Sequence, residues 1–170
     1  WEPYTGGQSA PQFRLKYRKT EQAHLAIGLP GLSLTHPDRH ALDVPSVVLG
    51  EGMSSRLFVE VRENKGLAYD VHSGVAHFLD CGAFVVTAGV DPKRVYDAVE
   101  TILAQLAGMK DAVPEEELDK AKRLVAGRLM LRMEDTRVVS GWMGNQESLE
   151  GRILNLDEVV AKANSVTTND

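Results

Sequence analysis

EGMSSRLFVEVRENKGLAYDV, residues 51–71, is the stretch whose reading decides the fold. Gly50 and Gly52 frame a loop whose backbone can take positive φ, and Ser54 or Ser55 can accept a backbone N–H as the N-cap of a helix starting there. Leu57, Phe58, Val61 and the aliphatic stem of Arg62 then recur at helical spacing, so SRLFVEVREN predicts an amphipathic helix. It is expected to stop near Lys65, which suits the negative end of the helix dipole, with Gly66 as the residue after the C-cap. Leu67 to Val71 enters an extended strand. The junction sets Arg62 and Tyr69 seven residues apart, with the phenol expected within a side-chain length of the guanidinium. A fixed planar cation beside a phenolic O–H can grip a carbonyl oxygen or a developing oxyanion. The same residues also have an ordinary stabilising use, since Arg62 can pair with Glu60, Glu63 or Asp70.

Working outward, Gln12 to Lys19 and Ala23 to Leu29 alternate as strands joined by a polar turn at Thr20 to Gln22. Asp38 to Leu49 has a helical pattern with Pro37 in its first turn, and Pro45 inside it predicts a kink or restart near Asp43 to Ser46. Strands follow from Leu67 to about Phe78 and from Gly82 to Val90, with Asp80, Cys81 and Gly82 as the hairpin turn. Asp91 and Pro92 open a helix to about Leu106, as N-cap and first-position proline. Glu115, Glu116 and Glu117 favour the positive dipole end of a helix running to about Met133; adjacent residues diverge around a helix axis, so they read as a solvated turn and not as a metal site. Helices through Val138 to Leu149 and Asp157 to Asn164 complete the order. Strands first and helices after predict an α+β fold, one sheet with helices packed on one face.

Three later runs extend the pattern: GAFVVTAGVDPKRVYDAVETILAQL (82–106), VPEEELDKAKRLVAGRLMLRMEDT (113–136) and GNQESLEGRILNLDEVVAKANSVTTND (144–170). With LGEGMSSRLFVEVRENKGLAYDVHSG (49–74) they resemble, in order and spacing, the second, non-zinc-binding domain of the M16 zinc peptidases, the pitrilysin and mitochondrial processing peptidase family. The resemblance covers most of the chain. It implies an antiparallel sheet backed by helices, two such domains forming half of a hollow, clamshell-like peptidase. It also implies that Arg62 and Tyr69 match the family's Arg and Tyr that reach across to a zinc site held by a different domain, and that they contact the substrate backbone near the scissile carbonyl. In that reading both are catalytic and substrate-binding in trans: zinc polarises the carbonyl and activates water, Tyr69 donates to the oxyanion, and Arg62 orients the peptide, which lies as an added strand against a sheet edge. The family usually has Gly where Glu51 stands, and a glutamate there also repels phosphate from any anion cradle. Gln146 and Glu147 match a loop–helix region to which no catalytic role is assigned.

The metal half of such a site is missing from these residues. The family's zinc is held by His-x-x-Glu-His on a helix plus a downstream Glu, and no such run occurs here. His36 and His40 stand four apart, but Asp38 comes one place too early for the motif Glu, and the segment reads as an exposed helix entry. His72 and His77, five apart, should face opposite sides of a strand, and His24 lies in another. No metal ligand is therefore assigned. Zinc is expected in the parent enzyme or partner domain, and the isolated chain is expected to be inactive on peptides.

Composition bounds the alternatives. A chain of 170 residues with 43% hydrophobic content is expected to bury one core. A net charge of -5 argues against nucleic acid as the main partner. Arg14, Lys16, Arg18 and Lys19 alternate with Phe13, Leu15 and Tyr17 as a half-buried strand. The single cysteine, Cys81, reads as a small buried residue beside Gly82. Met130 and Met133, with Leu129 and Leu131, are assigned to the core, while Arg128, Arg132 and Arg137 near Glu134 and Asp135 read as helix-surface pairs. No apolar run reaches the ~20 residues that cross a bilayer, and a cytoplasmic setting is expected over a secreted one.

Residues 1–12 read as a linker remnant and 13–170 as the M16-like C-terminal domain, with Ser165 to Asp170 capping one further helix and the last helix and strand expected beyond it. The expected partners are a zinc-binding N-terminal domain or a partner subunit of the same family, and a peptide substrate; a homo- or heterodimer is compatible. Two functions stay open: the substrate-gripping domain of an active zinc metalloendopeptidase, or a non-catalytic assembly subunit. Keeping both Arg62 and Tyr69 favours the first, because a scaffold needs neither.

Overall fold

Three strands form one antiparallel sheet in the order β1-β3-β2: β1 is Ala23–Gly31, β2 is Ala68–His77 and β3 is Gly82–Val90. The computed structural model describes residues 2–111 and 113–168; Trp1, Ala112, Asn169 and Asp170 lie outside them, and with them one end each of the expected linker and final helix cap. Strand periodicity puts Phe84, Val86, Ala88 and Val90 of β3 and Val71 of β2 on one buried face, against which Ala23, Leu25 and Ile27 of β1 pack. The other face carries His24, Ala26, Thr87 and His72, and it is open: a Cβ added at Gly28 or Gly74 would meet nothing within 4 Å.

The helices that build the core lie on the buried side. Helix α1, Arg39–Gly50, is the middle layer. Its Leu42 and Leu49 join the sheet core, together with Leu57, Val61, Ala98 and Ile102. Its Val44, Val47 and Val48 build a second core with Leu118 and Ala121 of α3 (Glu115–Arg132) and with Ala163 of α5 (Leu156–Asn164). This two-sided burial explains why α1 continues through Pro45 without the expected restart. Val44 and Ser46 to Gly50 are all buried, and that packing outweighs the ~3 kcal/mol cost of an interior proline. The helix begins at Arg39, so Pro37 precedes it and does not occupy its first turn.

Two polar clasps hold α1 to β2. At the C-terminal end the backbones nearly touch: a Cβ on Gly50 would lie 2.4 Å from the Ser73 nitrogen. The Ser73 hydroxyl donates to the Ser46 carbonyl at 2.8 Å and accepts from the Ser46 hydroxyl at 3.4 Å, so two buried hydroxyls satisfy one another. At the other end of β2, His77 places Nδ1 2.6 Å from the Leu32 carbonyl oxygen and Nε2 2.9 Å from the Asp43 carboxylate, whose second oxygen lies 3.4 Å from His40 Nδ1. Burial opposes charge on Asp43, but hydrogen bonds from His40 and His77 and their charges outweigh it and hold the carboxyl below its ordinary value.

The remaining helices start where their caps dictate. Asp91 accepts from the Lys93 N–H and Pro92 opens a single 3₁₀ turn before α2, Val95–Gly108. Asp135 caps α4, Thr136–Glu150, which ends on left-handed Gly151, and Asn155 with Glu158 forms a capping box on α5. Arg39 ties α1 to the end of α4 through Glu150 at 3.0 Å.

Some expectations fail. Residues 12–19 form no strand and are exposed, Phe13 by 86%, because among the described residues no strand edge pairs with them. Met130 and Leu131 are exposed, since α3 is buried only near its start, at Leu118 and Ala121. Arg128 pairs with Glu51 in the loop after α1, away from its own helix. Cys81 is only half-buried; partial desolvation and then Asp80 push its thiol up, which disfavours the nucleophilic thiolate.

Gly50→Ala is expected to lower stability by about 1–3 kcal/mol, because the backbones must separate; urea titration of the purified chain measures it, and an unchanged midpoint refutes the contact. For Asp43 the folded pKa is depressed, so its stabilisation is complete above the unfolded value of about 4 and fades as pH falls through the folded value. The stability gap between wild type and Asp43→Asn, measured by urea titration from pH 6 downward, should therefore hold above about pH 5 and narrow below about 4.

Candidate functional site

The expected helix after α1 is real, but it is wound differently. Arg56 and Leu57 begin as α-helix, and Phe58–Asn64 continues as a π-helix. Its end is closed by the Lys65 N–H donating to the Glu60 carbonyl at 3.2 Å, five residues back. Neither Ser54 nor Ser55 caps it: the Ser55 hydroxyl donates back to the Gly52 carbonyl at 2.8 Å. Gly66 takes a left-handed φ of 57°, and the Leu67 N–H then donates to the Val61 carbonyl at 2.8 Å. The turn into β2 is thus one residue wider than an α-helical end. Leu57 and Val61 are fully buried, which fixes the π-helix against the sheet core.

Arg62 projects from this element over Phe58, with its guanidinium carbon 4.8 Å from the ring centroid, a cation–π contact. Its nearest carboxylate is Glu63 at 3.8 Å, a loose and exposed pair. The other acids named as its partners are engaged elsewhere. Glu60 accepts from Asn64 and Lys65, which lower its pKa, and Asp70 lies 3.3 Å from His72. Lys65 also reaches Thr101 of α2 at 3.2 Å, and Arg94 bonds the Lys65 carbonyl, so the turn is tied down from a second element.

Tyr69 sits on an irregularity that the sequence did not reveal. Ala68 pairs with Val90 and Asp70 with Gly89, so Tyr69 is the extra residue of a β-bulge. In a regular strand Tyr69 would share the face of Val71 and Ser73, which are buried. The bulge turns it outward instead. Tyr69 is 66% exposed, and its hydroxyl makes no hydrogen bond among the described residues. Arg62 and Tyr69 thus flank one short turn, both free of strong partners, with no hydrogen bond joining them.

The histidines separate as their spacing requires. His72 lies on the open face, 2.9 Å from the Thr87 hydroxyl, while His77 is in the clasp with Asp43. His36 accepts from the Asp38 N–H in the turn before α1, and His40 faces Asp43. Among the described residues no group of three or more His, Cys, Asp or Glu is placed to hold a metal ion. No helix among them is long and apolar enough to cross a membrane.

Comparison with known proteins gives a consistent result. The family described as "Peptidase M16 inactive domain" matches residues 3–125. An uncharacterized zinc protease of Streptomyces coelicolor is 39% identical over 164 residues, covering 96% of this chain and 36% of that protein. An uncharacterized zinc protease of Bacillus subtilis is 38% identical, covering 94% of the chain and 40% of that protein. The chain therefore spans about two fifths of these relatives. Among solved structures, the peptidase M16 inactive domain from Pseudomonas fluorescens superposes with a TM-score of 0.79 at 24% identity, over 88% of this chain and 36% of that one. A chain of complex III2 from Candida albicans gives 0.81 at 20% identity, over 89% of this chain and 39% of that one. These two likenesses carry the fold alone.

Proposed function

The chain belongs to the M16 peptidase family, as its inactive domain, and on that premise we propose that it is the substrate-gripping part of a zinc metalloendopeptidase whose metal site is supplied by another domain or chain. The observation that carries the reading is the β-bulge at Tyr69. A tyrosine that strand periodicity would bury is turned into solvent with an unpartnered hydroxyl, next to a turn whose other side carries Arg62. Bulges that re-aim a side chain are common beside active sites, as are π-turns in helices.

The division of labour rests on donor chemistry. The Tyr69 O–H is a single donor free to meet a carbonyl oxygen, and it strengthens its bond as negative charge grows on that oxygen. The Arg62 guanidinium is planar and permanently charged, and it presents several N–H groups, which suits gripping a peptide carbonyl without proton transfer. Its stacking on Phe58 limits the freedom it would lose on binding. The metal and the base lie outside this chain, so no step is assigned to its histidines. A scaffold role remains the alternative, but it gives no use for a solvent-turned Tyr69.

In the full-length protein, with its remaining domains, Tyr69→Phe should lower kcat on a peptide substrate by about 100-fold or more, the size seen for loss of one oxyanion donor. Thermal stability should stay within about 0.5 kcal/mol, because the lost hydroxyl is exposed. Steady-state kinetics beside a melting curve tests this. Unchanged turnover refutes the oxyanion role, and an inactive full-length wild type favours the scaffold.

A further inference from the structure

The turn that separates Arg62 from Tyr69 is held by polar contacts that converge on one residue. Gly66 is left-handed at φ 57°, and a Cβ added there would meet nothing within 4 Å, so packing does not hold the hinge at that point. Lys65, just before it, has all its polar groups engaged. Its N–H donates to the Glu60 carbonyl at 3.2 Å, which closes the π-helix. Its carbonyl accepts from Arg94 Nη1 at 3.2 Å. Its ammonium lies 3.3 Å from the Glu60 carboxylate and donates to the Thr101 hydroxyl at 3.2 Å. Both outside partners are themselves fixed. Arg94, at the start of α2, directs Nε and Nη2 to the Asp97 carboxylate at 3.3 Å, which leaves Nη1 for the turn. Thr101 is 5% exposed and donates its proton to the Asp97 carbonyl at 2.7 Å, so its oxygen meets Lys65 as an acceptor. Ala98 and Ile102, on the same helix, seat it in the sheet core.

Resting on the proposed function, we infer that Lys65 is a positioning residue for Arg62, through which Arg94 and Thr101 set where the guanidinium stands. Glu60 and Lys65 are joined twice, by the backbone bond and by the side-chain ion pair, and Arg62 stands inside the ring they close. An exposed ion pair alone holds little. This one is anchored, because the same ammonium reaches the buried Thr101 and the same residue's carbonyl is pinned by Arg94. Arg62 has few contacts of its own, the Phe58 ring and a loose pair with Glu63 at 3.8 Å, so its place depends on the backbone that carries it. A donor that must grip a peptide carbonyl is best fixed in this way, by neighbours that hold its backbone while its N–H groups stay available.

The test uses the full-length protein and one peptide substrate. Lys65→Met keeps an unbranched apolar stem and removes the ammonium, and it should lower kcat/KM by about tenfold. Lys65→Arg, which keeps a charged donor, should stay within about twofold of wild type. In an Arg62→Ala background, Lys65→Met should cost less than about twofold, because the group it positions is gone. An equal loss in both backgrounds overturns the inference. Amide exchange gives a readout that does not depend on turnover. The Leu67 N–H, which donates to the Val61 carbonyl at 2.8 Å across the turn, should exchange about tenfold faster in Arg94→Ala and in Lys65→Met. The amide of Val86, paired on both sides in β3, should keep its wild-type rate. Unchanged exchange at Leu67 in both variants overturns the clamp. The two readings fail separately. If Arg62→Ala leaves kcat/KM unchanged while exchange at Leu67 rises, the clamp stands and the gripping role of Arg62 falls; the reverse pattern removes only the clamp.

Discussion

The contact on which the rest of the structure depends is the meeting of α1 and β2 at Gly50 and Ser73. There is no room for a Cβ between them, and the serines on either side exchange hydrogen bonds out of reach of water. This seats α1 between two apolar layers. It also fixes where the chain leaves α1, and so where the π-helix begins. Every later placement inherits that position: Leu57 and Val61 pack into the sheet core, and Gly66 turns the chain back into β2 beside the helix it has just left.

Two irregularities, one on each side of Gly66, give the site its character. The π-turn adds a residue to the helix end, and the bulge adds one to the strand start. Either alone would rotate one of the two side chains away from its regular direction. Together they leave Arg62 lying over Phe58 and Tyr69 facing solvent, while the buried positions before and after them, Val61 and Val71, stay in the core. Weakly held polar groups on an otherwise tied-down turn are what a surface that grips a carbonyl requires.

The sequence is legible where local chemistry has one solution. Gly66 after Lys65, Asp91 before Pro92 and the three glutamates opening α3 each satisfy a helix end in a way few other residues can, and each stands at the helix end that its chemistry predicts. It is illegible where two backbone paths bury the same residues. Leu57 and Val61 face the core in an α- or a π-winding, because over seven residues a ring closed at five differs little from one closed at four. The bulge leaves no sign in composition, since Ala68, Tyr69 and Asp70 are ordinary strand residues, and only pairing with Val90 and Gly89 reveals it. Residues 12–19 depart from expectation for a different reason. Their alternation encodes a strand, but a strand needs an edge to pair with, which local sequence does not specify.

The central claim is that Arg62 and Tyr69 act together on one peptide carbonyl region. The direct measurement is a double-mutant cycle in the full-length protein, with Arg62→Ala, Tyr69→Phe and the pair compared by kcat/KM on one peptide. Residues that grip the same group should be non-additive, with a coupling of about 1 kcal/mol or more. Losses that add to within about 0.3–0.5 kcal/mol would show two independent residues and contradict the account.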